Sequence, residues 1–553
     1  MTPTPQSKGL ISGFFRSLRA NSARPALELG ELSLSYEQLW NYAGRITACL
    51  KKTLDPSEKV VAVLADRSLG AYGGILGVLG SGRGYVPLNP KFPLDRTLVM
   101  LRASGCKTVV VGKECASTLA SLLPRVNSPL TLIIPDDGWE PDRAPASSHR
   151  VFTASQLSKV ADPIDPIVDG GDTAYLLFTS GSTGVPKGVA VSQSNVVAYM
   201  EYAARRFGMN ADDRCSQNFD LTFDLSVHDL FTCWDAGATL CPYPEKALTP
   251  AVFVDEKQLT CWFSVPSVAM FASKLGILEP GAFPTLRWSL FCGEALSASL
   301  AEAWQQAANN SILENLYGPT EATIAITWYR WNSATSPAEC VRGLVPIGWP
   351  FDGQQVCAVD DNLAPVPTGE SGELCLGGSQ VTRGYLNDPE KTAKNFVRLK
   401  QSSKHAEGQL PHSQTNDSQS GVQESAQIWY RTGDLVRQDE RGCLFYLGRR
   451  DFQVKVNGYR VELQEIDLVL REAARTESAV AIPWPLSEGS ASGIVGVLSG
   501  ADPSLDKQLI AACEARLPRY MVPTRICHFA QMPLNVNGKI DRGKITEMLA
   551  EQK

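Results

Sequence analysis

The sequence predicts an α/β protein, with a large N-terminal unit of mostly parallel sheets over residues 1–447 and a small α+β unit over 448–553. Three observations predict it. Val60-Val-Ala-Val-Leu-Ala65, Lys107-Thr-Val-Val-Val111 and Leu130-Thr-Leu-Ile-Ile134 are short, largely continuous apolar runs, the pattern of strands buried on both faces. Helical patterns alternate with such runs along most of the chain, as expected where crossover helices join parallel strands. After Gly448-Arg449-Arg450-Asp451 the pattern changes to a compact stretch with two amphipathic helices.

The elements follow in order. Tyr175-Leu-Leu-Phe178 reads as a strand feeding a Ser/Thr/Gly-rich run. Residues 195–207 read as a helix that Gly208 closes as a C-cap. Residues 399–427 are rich in Ser, Gln, Lys and Glu with almost no apolar residues; they cannot bury enough surface to offset ordering entropy and read as a mobile polar loop. In the C-terminal unit, 462–474 and about 505–517 carry apolar stripes at helical spacing.

Composition excludes several classes. A net charge of -6 over 553 residues makes no electrostatic case for nucleic-acid or membrane binding. The apolar runs are too short to span a bilayer, and Met1-Thr-Pro-Thr-Pro5 lacks the charged start and apolar core of a secretory signal. A cytoplasmic protein is expected. The 14 cysteines are scattered, with no Cys-x-x-Cys pair, and the 5 histidines are not spaced as a metal pair. Buried thiols are expected, rather than disulfides or zinc.

The chemistry is carried by Phe178-Thr179-Ser180-Gly181-Ser182-Thr183-Gly184-Val-Pro-Lys187-Gly188. Glycines let the backbone approach a phosphate closely; free N–H groups and hydroxyls supply donors, and Lys187 a positive charge. This is not a Walker A loop, because Pro186 precedes the lysine and Gly188 follows it.

This run resembles the phosphate loop of the adenylate-forming superfamily, which contains acyl-CoA synthetases, luciferases and the adenylation domains of nonribosomal peptide synthetases. Tyr85-Val-Pro-Leu-Asn-Pro90, Asn315-Leu-Tyr-Gly-Pro-Thr-Glu321, Gly372-Glu-Leu-Cys-Leu-Gly377, Tyr430-Arg-Thr-Gly-Asp434, Gly448-Arg-Arg-Asp-Phe-Gln-Val-Lys455 and Asn537-Gly-Lys539 follow in the family's order and rough spacing, over nearly the whole chain. The resemblance implies ATP and Mg2+ as cofactors and an acid that attacks the α-phosphate. Glu321 resembles the magnesium ligand, whose hard carboxylate suits that ion. Thr320 and Thr183 would bond phosphate oxygens, Tyr317 would lie against adenine beside Gly318, and Asn315 would meet its edge. Asp434 would accept the ribose hydroxyls, with Arg449 nearby. Lys539 resembles the catalytic lysine that bridges carboxylate and α-phosphate; a compact ammonium on a flexible stem suits it. Asp451 matches the hinge about which a C-terminal lid turns between two half-reactions.

Asn218-Phe-Asp-Leu-Thr-Phe-Asp224-Leu-Ser-Val-His228 resembles the amino-acid-activating branch, where the aspartate pairs with the substrate ammonium. Read locally, Asp224 is also a helix N-cap. The implied pocket is Asp224, Leu225, His228, Ser264, Leu290, Cys292, Leu316, Ile324 and Ala325. It offers small polar and branched apolar groups, with His228 suited either to a substrate hydroxyl or to neighbouring backbone. A small neutral amino acid (alanine, serine or glycine) is expected, activated as aminoacyl-AMP and passed to the phosphopantetheine thiol of a carrier. Leu290-Phe-Cys292-Gly-Glu294 is similar both to D-alanine–carrier protein ligases and to free-standing prolyl ligases, so L-proline is the alternative; an acyl-CoA synthetase of the same fold is a further one. The chain ends soon after Lys539, so a separate carrier protein is the expected partner.

Overall fold

The structure is a computed structural model that describes residues 8–139, 149–157, 159–181, 185–244, 249–399, 427–451, 453–487, 490–500, 502–534 and 540–551. Two large sheets dominate. A seven-stranded sheet has the order Arg150–Thr153, Thr131–Ile134, Thr108–Val111, Val60–Leu64, Gly84–Leu88, Thr173–Thr179, Lys187–Ser192. All its pairs are parallel except the last. Val60–Leu64 and Thr108–Val111 are buried at every position, which explains their uninterrupted apolar runs.

A nine-stranded sheet runs from Trp349–Pro350 through Thr327–Arg330, Ile312–Tyr317, Trp288–Phe291, Cys261–Ser264, Arg214–Gln217, Thr239–Pro242 and Pro25–Leu29 to Leu32–Ser35. Its centre is parallel and its edges antiparallel. One continuous core joins the facing sides of the two sheets and the helices between them, including Tyr36, Tyr72, Tyr175, Tyr199 and Trp234. Helix Gln193–Phe207 begins at a Ser192 capping box and ends at Gly208, left-handed at φ 51, as its sequence requires. A five-stranded antiparallel sheet built on Ser371–Gly378 and Trp429–Gln438 ends the chain's larger part.

From Gln453 onward the chain forms two small sheets of its own, around the helices Leu463–Ala474 and Asp506–Arg516 and two separate apolar clusters. Residues 400–426 of the polar stretch lie outside the described residues. Among the described residues no helix is long and apolar enough to cross a membrane. All 14 cysteines are free and most are buried.

Candidate active site

The carboxyl ends of the parallel strands, where open α/β sheets bind ligands, converge with the five-stranded sheet and the C-terminal unit on a cavity of about 340 Å³. Thr173–Thr179 and Lys187–Ser192 pair so that Thr179 faces Lys187 across the base of the phosphate loop. Gly181 admits no other residue there: a Cβ would stand 2.0 Å from the Val185 carbonyl oxygen. Ser182, Thr183 and Gly184 lie outside the described residues, as does Lys539. Thr179, Ser180, Asn315, Tyr317, Gly318, Thr320, Asp434 and Arg449 all line the cavity.

Each of these side chains has a local cause. Asn315 and Tyr317 stand at the end of strand Ile312–Tyr317. Asn315 donates Nδ2 to the Pro346 carbonyl at 2.9 Å, while its Oδ1 is buried with no protein partner. It is thus an acceptor left for a ligand's N–H. Asp434 and Arg449 are cross-strand neighbours. The Asp434 carboxylate accepts from Arg449 and from the Tyr317 hydroxyl, so the two groups expected at ribose and adenine bond each other here. Asp451 is exposed and accepts Arg449 Nε at 2.7 Å.

The acid side is built around Asp224. It stands just before helix Leu225–Asp235 but makes no capping hydrogen bond, so the N-cap reading is corrected. Its Oδ2 accepts the Ile324 N–H at 3.0 Å instead. That bond requires a sharp turn: Thr323 and Ile324 are both left-handed, at φ 58 and 70, a strained choice for β-branched residues. Gln380 holds the turn, donating to the carbonyls of Thr323 and Ala325 and accepting from Thr323 Oγ1 at its own carbonyl. A Cβ on Gly318 would stand 2.6 Å from the Ala325 Cα, so this crossing also fixes that glycine. Burial pushes the Asp224 carboxyl up to about 6, against the Ile324 N–H, which favours its charge.

Of the nine expected pocket residues, Asp224, Leu225 and Leu316 line the cavity. His228, Ser264, Leu290, Cys292, Ile324 and Ala325 are almost wholly buried and lie behind its wall. Ser264 accepts from Trp262 and donates to the Val265 carbonyl. His228 Nδ1 bonds the Tyr199 hydroxyl at 2.7 Å, neither a substrate nor backbone, and burial lowers its pKa to about 3, so the ring is neutral. Burial likewise raises the Cys292 thiol to about 12.

The hairpin Gln453–Val456/Tyr459–Glu462 of the C-terminal unit enters the cavity, contributing Gln453, Val454, Lys455, Gly458 and Arg460 to its wall. Arg460 Nη1 donates to Glu321 Oε2 at 3.0 Å, and the Tyr385 hydroxyl donates to Oε1 at 2.8 Å. Burial would raise the Glu321 carboxyl, but Arg460 and Lys187 prevail and hold it at about 2. Glu462 lies 3.5 Å from Lys187 Nζ, and the Arg460 carbonyl accepts Ser180 Oγ at 2.8 Å. The Gly458 N–H donates to Glu294. Glu321 and Lys187, expected to meet Mg2+ and phosphate, therefore each meet a lid residue of opposite charge. Sequence reasoning missed Arg460, Glu462, Tyr385 and Gln380. One signal was available: in a strand, Arg460 and Glu462 share a face, an exposed-type pair beside apolar Val461.

Residues 14–386 match the AMP-binding enzyme family model. The chain is 33% identical over 540 residues to phosphinothricin tripeptide synthetase PhsC of Streptomyces viridochromogenes, covering 97% of this chain and 45% of that one; it thus spans less than half of that relative's length. It is 30% identical to the D-alanine–D-alanyl carrier protein ligase of Lactiplantibacillus plantarum, over 92% of both chains. Among solved structures, the Vibrio cholerae adenylation domain AlmE in complex with glycyl-adenosine-5'-phosphate superposes with a TM-score of 0.84 at 34% identity, covering 98% of each chain. With the family model spanning well over half of its residues, the chain belongs to the AMP-binding enzyme family.

Proposed function

We propose that the chain is an amino-acid adenylating ligase for the smallest side chains, glycine and alanine foremost. It would form aminoacyl-AMP from ATP and pass the aminoacyl group to the phosphopantetheine thiol of a carrier protein. The observation that carries the size is the closed wall beneath Asp224: His228, Ser264, Leu290 and Cys292 are sealed behind the cavity by their own packing and hydrogen bonds. With that wall closed, a substrate whose ammonium meets Asp224 would be limited to a small side chain. The glycyl adenylate held by the AlmE domain and the D-alanyl substrate in the ligase's name support the same size class.

In this reading Asn315 Oδ1 accepts the adenine amine, Asp434 exchanges Tyr317 and Arg449 for ribose hydroxyls, and Lys187 with the phosphate loop meets the phosphates. Glu321 suits Mg2+: it is an ionised hard carboxylate at the phosphate loop, and among the described residues no three-ligand protein cage competes for the ion. Mg2+ supplies charge stabilisation at the phosphates. Lys539 keeps its role from the sequence pattern alone, and residues 448–553 are the lid turning about Asp451.

The test is pyrophosphate exchange over a panel of D- and L-amino acids with glycine, serine, proline and β-alanine. Glycine or alanine should exceed every larger substrate by about tenfold or more, since one misfitted methylene is worth ~1–3 kcal/mol. Preference for proline or an aromatic side chain would overturn the size argument, and exchange supported only by simple carboxylic acids would overturn the amino-acid reading. A pH dependence follows as well. Asp224 attracts an ammonium only when ionised, and in the free protein it ionises at about 6. The kcat/KM for the amino acid should therefore be flat above that pH and fall about tenfold per pH unit below it.

A further inference from the structure

A buried ion pair beside the cavity, with neither side chain in its lining, joins the C-terminal unit to the core. Arg96, on helix Leu94–Ser104, donates Nη1 to Glu465 Oε1, on helix Leu463–Ala474, at 2.7 Å; the side chains are 5% and 3% exposed. The pair is incompletely satisfied, because Arg96 Nε and Glu465 Oε2 are buried with no hydrogen-bond partner. Its surroundings are aromatic: Phe92 lies 5.9 Å from the guanidinium, and Tyr520 stacks on Tyr459, which meets Phe223 edge-on. Burial raises the Glu465 carboxyl, while Arg96 and the Gly181 backbone amide favour its charge.

Such a pair is a poor source of global stability, since desolvation offsets most of the attraction. Its partners, however, come from opposite sides of Asp451. This lid position buries both side chains, and either one buried without its partner would be strongly disfavoured, so the pair bears on the lid position and not on the fold of either unit. In that position Glu465 faces Gly181, Glu462 meets Lys187 and Arg460 meets Glu321, so the lid fills the places that phosphates and Mg2+ would need.

Resting on the function proposed above, we propose that Arg96 and Glu465 are a latch that selects the lid position in which hairpin 453–462 fills the site. They are positioning residues for thioester formation and take no part in adenylate formation. Neither side chain lines the cavity. The latch engages once pyrophosphate has left, and it holds the hairpin against the adenylate while the thiol attacks the acyl carbon and AMP leaves.

The experiment uses the full chain, Arg96→Gln, Arg96→Lys, and the charge-reversed double variant Arg96→Glu/Glu465→Arg. Three quantities are read: hydrogen exchange of the 453–462 amides without nucleotide, amino-acid-dependent pyrophosphate exchange, and transfer to free pantetheine. In Arg96→Gln the hairpin amides should exchange at least tenfold faster and pantetheine transfer should fall about tenfold, with pyrophosphate exchange within twofold of wild type. Arg96→Lys should lie between, and the reversed pair should recover protection relative to Arg96→Gln. Unchanged hairpin protection in Arg96→Gln would overturn the latch. So would a parallel loss of pyrophosphate exchange, or global unfolding, since either makes the pair a plain structural element. If the wild type supports no pyrophosphate exchange with any amino acid, the functional reading fails, whereas the hydrogen-exchange comparison still decides the latch.

Discussion

Asp224→Asn is expected to lower amino-acid-dependent pyrophosphate exchange by about 10²- to 10³-fold while leaving the protein folded. The carboxylate is 6% exposed, so a substrate ammonium that reaches it gives up most of its water. Removing a charge that compensates such a cation costs ~3–5 kcal/mol, which at 1.4 kcal/mol per decade gives the stated loss. Asparagine keeps the size and the acceptor for the Ile324 N–H, so the strained turn at Thr323 and Ile324 survives. The folded state should even gain slightly near neutral pH. Burial raises the carboxyl's pKa to about 6, so the cost of its ionisation to folding builds as pH rises from the ordinary carboxylate value to about 6 and is complete above it, and the amide removes that penalty. Asp224→Ala should show the same catalytic loss plus ~1–3 kcal/mol of instability from the orphaned amide. Exchange at wild-type level in Asp224→Asn would remove the ammonium contact from the mechanism, and pyrophosphate exchange with the cognate amino acid is the direct measurement.

What was legible in the sequence shares a physical character. The buried strands announced themselves because both faces are apolar, and helix Gln193–Phe207 because its cap residues act on the nearest turn. The phosphate-loop and adenine-side residues fall on short, contiguous stretches whose shape is set by local backbone, as the forbidden Cβ positions at Gly181 and Gly318 show. What stayed hidden is set by partners far away in the chain. Asp224 looks like an N-cap until the Ile324 amide, a hundred residues on, takes its carboxylate. His228 offers two ring nitrogens until Tyr199 takes Nδ1, leaving Nε2 buried with no hydrogen-bond partner. Arg96 and Glu465 are separated by 369 positions, and nothing in either helix's periodicity joins them. The depth of the acid pocket belongs to the same class: it depends on how six buried side chains pack, and their identities alone left alanine, glycine, serine and proline open.

Glu321→Gln is expected to reduce adenylate formation by about 10²- to 10³-fold and to raise the Mg2+ concentration needed for half-maximal pyrophosphate exchange. The argument turns on competition. Glu321 is fully buried, and its charge is held by the Arg460 guanidinium at 3.0 Å and the Tyr385 hydroxyl at 2.8 Å. If Mg2+ takes the same carboxylate during adenylate formation, guanidinium and metal exclude one another, and each stabilises a different lid position. A neutral amide offers the metal no charge, and the loss of an electrostatic anchor in a buried site is worth several kcal/mol. Arg460→Met should move the metal dependence the other way. With its competitor gone, the carboxylate keeps the Tyr385 hydroxyl and the nearby Lys187 but not its guanidinium, and Mg2+ should reach half-saturation at a concentration about tenfold lower. A Mg2+ titration of pyrophosphate exchange in wild type, Glu321→Gln and Arg460→Met reads both shifts at once. Superimposable profiles would mean that Glu321 is not the metal's anchor and that the Arg460 pair is only a docking contact. Shifts of opposite sign would make that carboxylate the point where the choice between the two half-reactions is settled.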